Sequence, residues 1–133
     1  MALLAAIAPA IPRGAATITY VATLAGAASP RNTVSIGTAA ADRYVLVTAV
    51  SSSPGLSAMT IGGVAARLNA SANSGTSCFN SIWSALVPTG TTATITYTGA
   101  AASLTIFTLT VAGGDNIETD NDGVGSASAG SAR

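Results

Sequence analysis

The chain has no histidine, no lysine and no glutamine in its 133 residues, and a single cysteine, Cys78. Each absence removes a class of chemistry. Without histidine there is no Ser-His-Asp triad, no Cys–His pair and no imidazole metal ligand; without lysine there is no Schiff base. One cysteine cannot close an internal disulfide. Within Thr76-Ser77-Cys78-Phe79 it reads as a small core residue with no base to activate it. Charge of either sign is scarce: five arginines balance five carboxylates, so no large field steers nucleic acid or an anionic membrane surface. No apolar run approaches the ~20 residues of a membrane-spanning helix. Aromatic residues are few, and much of the apolar fraction is alanine, which buries little area per residue. A core of that kind makes a marginal monomer, so neighbouring subunits are expected to supply part of the stability.

What fills the chain is alanine, threonine, serine, glycine and valine in short alternating runs. Period-two patterning with β-branched residues predicts strands over 16–24, 33–37, 43–50, 58–61, 65–69, 78–86, 93–98 and 103–111. In Thr94-Ile95-Thr96-Tyr97-Thr98 the threonines share one face, which either meets water or packs on another subunit. Turn chemistry separates the runs: Ser29-Pro30-Arg31-Asn32, Ser53-Pro54-Gly55, Asn73-Ser74-Gly75, Pro88-Thr89-Gly90 and, as a tight hairpin, Gly62-Gly63. Eight short strands with turns every 8–12 residues predict an all-β, two-layer antiparallel sandwich, jelly-roll-like or immunoglobulin-like.

Three regions follow. Residues 1–14 form an apolar N-terminal arm, lacking the charged start of a secretory signal and broken by Pro9 and Pro12. Residues 15–113 form the sandwich. Residues 114–133 are an acidic, then Gly/Ser/Ala-rich, tail.

Asp115, Glu118, Asp120 and Asp122 are the only concentration of hard-cation ligands, but they lack the full EF-hand spacing and its late glutamate. They read first as a solvated or arginine-pairing surface, and no cofactor is expected. Paired-carboxylate glycoside hydrolysis needs two acids across a cleft, and apart from that tail only Asp42 is present, so the chain does not read as an enzyme. Asp42-Arg43 at a strand start reads as a surface pair or subunit contact. Trp83 and Tyr97 could stack on a sugar ring, although their place in strand patterns favours the core. Asn69-Ala70-Ser71 matches a glycosylation sequon.

Three stretches carry a resemblance: Ser35-Ile36-Gly37-Thr38-Ala39-Ala40-Ala41-Asp42-Arg43-Tyr44-Val45-Leu46-Val47, Met59-Thr60-Ile61-Gly62-Gly63-Val64-Ala65-Ala66, and Ile82-Trp83-Ser84-Ala85-Leu86-Val87-Pro88-Thr89-Gly90. In texture and order this resembles small β-sandwich virion proteins of tailed bacteriophages, over roughly residues 33–112. The resemblance implies a capsid decoration (cement) protein located in the virion. Its partners would be copies of itself, as a trimer or larger, and the major capsid protein or other virion subunits. Leu3, Leu4 and Ile7 of the arm, with Arg31, Asp42 and Arg43, are the expected interface residues. The alternative is a glycan- or receptor-binding module of a phage fibre or bacterial surface adhesin, using Trp83 and Tyr97.

Overall fold

The structure is a computed structural model that describes residues 16–26, 29–75, 77–100 and 102–111, with backbone alone at Ala102 and Val111. The arm residues Leu3, Leu4 and Ile7 and the tail residues Asp115, Glu118, Asp120 and Asp122 lie outside the described residues.

Among the described residues nine strands follow in chain order: β1 (Ala16–Leu24), β2 (Arg31–Ser35), β3 (Arg43–Ser51), β4 (Leu56–Ile61), β5 (Val64–Ala65), β6 (Arg67–Ser74), β7 (Cys78–Leu86), β8 (Thr92–Gly99) and β9 (Ala102–Val111). They form a five-stranded sheet ordered β1-β9-β3-β7-β6 and a four-stranded sheet ordered β2-β8-β4-β5. Every pairing is antiparallel. Only β4–β5 and β6–β7 are hairpins within a sheet; each remaining connection carries the chain from one sheet to the other. The fold is the two-layer antiparallel sandwich expected from the sequence.

Period-two patterning builds the interior. Along β3, Arg43, Val45, Val47, Ala49 and Ser51 alternate inward and are all buried. Opposite them on β9 and β7 stand Ile106, Leu104, Trp83 and Ala85, and Val34, Ile36, Met59, Ile61 and Ile95 close the core from the other sheet. Burying each isoleucine contributes about 1.5–3 kcal/mol. The Trp83 indole N–H would be costly to bury alone, and it donates to Ser81 Oγ at 2.9 Å.

Three elements differ from expectation. β2 lies at Arg31–Ser35 rather than 33–37. The run 65–69 is no single strand. β5 completes a hairpin over Gly62 and Gly63, whose φ of 60° and 80° suit a two-residue turn. Ala66 N–H still reaches Met59 O at 2.9 Å, and β6 then starts at Arg67 in the other sheet. β6 also runs on to Ser74, through a stretch with no apolar alternation, because β7 offers it a full ladder of partners. At Gly99, φ is 133°, and the space a Cβ would need is filled by the Gly55 carbonyl, so only glycine fits there.

Candidate interaction surface

Arg43 is the first correction. Expected as a surface charge beside Asp42, it is 0% exposed. Position explains this: Arg43 opens the inward-facing series of β3. Its guanidinium is held by carbonyl oxygens: Nε and Nη2 donate to Val87 O at 2.8 and 2.6 Å, Nη2 to Thr89 O at 2.9 Å, and Nη1 to Gly37 O at 2.9 Å. Val87 N–H returns a bond to Arg43 O at 3.1 Å. Burial pushes the Arg43 pKa down from its ordinary value, but guanidinium stays charged at neutral pH, and its five-donor fork suits three carbonyls. Arg43 therefore ties β3 to the β2–β3 and β7–β8 crossings and presents nothing to a partner.

Arg31 is half-buried, and its Nη2 donates to Ala25 O at 3.2 Å and to Gly26 O, bracing the β1–β2 crossing. Asp42 is half-buried and is the one carboxylate residue among the described residues. The described residues contain no group of three or more His, Cys, Asp or Glu side chains able to hold a metal. Trp83 is 3% exposed, so neither ring face is free to stack on a sugar, and Tyr97 packs half-buried against the core. Asn69 lies on β6 with Oδ1 accepting from Ser84 Oγ at 3.2 Å, engaging the amide of the sequon. A recess of about 400 Å³ at one end is lined by Tyr20, Val21, and threonine and small residues such as Thr19, Gly37, Thr38 and Thr108, without a charged side chain.

The outer face of the five-stranded sheet is different in kind. Strand register places its side chains in rows that run β1, β9, β3, β7, β6. One row reads Ile18, Leu109, Tyr44, Leu86; the next Tyr20, Phe107, Leu46, Ser84, Arg67. A third reads Thr23, Thr105, Thr48, Ile82, Ala70, and beyond it Ser103, Val50, Asn80 and Ala72. Apart from Ser84 and Arg67 the first two rows are apolar; Ile18, Tyr20 and Leu86 are 65%, 60% and 43% exposed, whereas Leu109 and Ser84 are already buried. The Tyr20 and Phe107 rings meet edge to face, with centroids 5.9 Å apart at 72°, a favoured aromatic geometry. Tyr20 Oη donates to Thr23 Oγ1 at 3.3 Å, which holds the ring down against the sheet. Arg67 supplies the one formal charge in these rows, at the β6 edge.

The outer face of the four-stranded sheet carries Thr94, Thr96, Thr98, Thr60 and Ala58 instead. Thr60 and Thr96 share a 2.5 Å hydrogen bond across β4 and β8. Sequence reasoning singled out this threonine face and passed over the apolar one. The signal was present. Tyr44-Val45-Leu46-Val47 is apolar at consecutive positions, which in an antiparallel sheet marks a strand apolar on both faces.

No family model, curated protein or solved structure matches this chain. Among the described residues no helix is long and apolar enough to cross a membrane.

Proposed function

We propose that this chain is a structural assembly protein, a decoration subunit of a tailed-phage type of capsid, acting by burial of surface rather than by turnover. The carrying observation is the apolar and aromatic part of the outer face of the five-stranded sheet, which carries a single charge, Arg67, at its β6 edge. Large exposed apolar patches on small domains mark contact with other proteins. The virion setting is supported by the resemblance carried by residues 33–112. In this reading the apolar face joins the chain to other protein subunits, its own copies among them, and the resulting assembly clamps neighbouring coat subunits and raises the barrier to their separation. The rigid presentation of the face depends on the Arg43 clamp, which fixes one end of both layers.

A glycan-binding module has less support, since its main stacking residue, Trp83, belongs to the core.

The test is mass spectrometry of purified particles from the phage or prophage that encodes the chain, with heat release of their DNA as the functional readout. A decoration subunit is present in stoichiometric copies, and particles lacking it release DNA at lower temperature. Its absence from purified particles would overturn the reading.

A further inference from the structure

We propose that the outer face of the five-stranded sheet docks on the same face of a second copy of this chain, around a two-fold axis running parallel to β3. This rests on the assembly reading above and names the partner of its surface.

Area is the first argument. Five strands about 4.8 Å apart and nine residues long, at about 3.3 Å per residue, present a face of about 700 Å². A standard stable interface buries about 800 Å² per partner, so one sheet face meets the requirement almost alone.

Register is the second. A two-fold axis lying between the faces and parallel to the strands exchanges left and right across the sheet but leaves each row at its own height. Every row then meets itself in reverse order. Leu46 approaches the Leu46 of the second copy, and Leu86 lies over Leu109 on the opposite side. An axis perpendicular to the strands, midway along these four rows, would instead set the Ile18 row over the Asn80 row and the Tyr20 row over the threonine row, burying the Asn80 amide against apolar side chains.

Charge is the third. Arg67 closes its row at β6, and Tyr20 opens the same row at β1. Reversal sets each β6 edge over the β1 edge of the second copy and keeps the two arginines at opposite edges, so no like charges meet. The sequence is thus complementary to itself on this face, and the contact is isologous. Both sheet layers facing each other would pack at about 10 Å, the spacing within the sandwich.

Sedimentation equilibrium of the purified full-length chain tests this. The expected result is reversible association of the 12.8 kDa chain to a dimer at micromolar concentration. Ile18→Glu and, separately, Leu86→Glu, exposed apolar positions on either side of the β3 centre, weaken it by about 10-fold each. Arg67→Glu weakens it by about 3-fold, and Thr94→Glu on the other sheet leaves it unchanged. All four positions are solvent-exposed, and circular dichroism confirms that each variant folds. A full-length monomer at every concentration overturns the proposal. So does a dimer indifferent to both Ile18→Glu and Leu86→Glu. A monomer that dimerises only after deletion of residues 1–14 overturns it too, by making the chain's own arm the occupant of the face. A monomer found stoichiometrically in purified particles would sink the dimer and leave the decoration reading standing; a dimer absent from particles would do the reverse.

Discussion

The two outer faces of this sandwich are built from the same backbone and differ in what they offer a neighbour. The four-stranded sheet turns Thr94, Thr96 and Thr98 outward; Thr96 shares a hydrogen bond with Thr60 on β4, and Thr94 Oγ1 donates to Asn32 Oδ1 at 3.5 Å. The five-stranded sheet turns out Ile18, Tyr20, Leu46, Phe107 and Leu86. Threonine and valine-like side chains fit a strand equally well, so local propensity did not force this division. An antiparallel sheet meeting water on one side alternates cleanly, and the four-stranded sheet obeys that rule while the five-stranded sheet does not. On the reading proposed above, the difference answers to contact with another protein surface.

The largest expected effect concerns the element that presents both faces at once. Arg43→Met leaves the carbonyls of Val87, Thr89 and Gly37 without their donor, and should lower unfolding stability by about 3–5 kcal/mol in urea melts. Arg43→Lys keeps the charge but cannot fork across three acceptors, so about 1–3 kcal/mol is expected. A loss below about 0.5 kcal/mol in both variants would mean that the clamp is incidental and the faces are held some other way.

Next in size is an attempt to make the faces alike by adding apolar surface. Thr60→Val with Thr96→Val removes the 2.5 Å hydrogen bond at a cost of about 0.5–1.5 kcal/mol. It also lays an apolar row on the four-stranded sheet. Species larger than those of the parent chain should appear in size-exclusion chromatography, since a second sticky face permits open assembly. An unchanged elution volume would show that apolar character alone does not decide which face associates.

The reverse exchange should barely touch folding. Ile18→Thr with Leu86→Thr gives the five-stranded sheet the other face's chemistry. Monomer stability is expected to stay within about 1 kcal/mol, because exposed positions contribute little burial. Binding of a fluorescent apolar dye to dilute protein should fall. A stability loss of several kcal/mol would place these side chains in the fold's own core instead.

Much of the architecture was legible in the sequence, and the limits have physical causes. β1 and β7 end where the period-two pattern ends, because turn residues bound both runs. β6 was half missed: Ala70 to Ser74 has no apolar alternation and becomes a strand only because β7 pairs with it. The sheet crossing at Ala66 was invisible for the opposite reason, since the pattern continues while the chain changes layers. Arg43 was misplaced because a charged letter beside Asp42 reads as surface, although its parity with Val45, Val47 and Ala49 puts it inside. The site was less legible than the fold. Trp83 and Tyr97 drew attention as aromatic residues, yet their alternation belongs to the core. Tyr20, Tyr44 and Phe107, on the opposite parity of their strands, form the outward face. The consecutive apolar residues of β3 were the clue that this strand is apolar on both faces.

The most direct measurement is hydroxyl-radical footprinting of the full-length chain across a dilution series. Val64 on β5, 42% exposed and on the other sheet, serves as the internal reference. Ile18, Tyr20 and Leu86 should be protected at tens of micromolar and react freely at nanomolar concentration, while Val64 reacts equally throughout. Uniform reactivity of all four residues at every concentration would contradict the claim that this face exists to meet another copy.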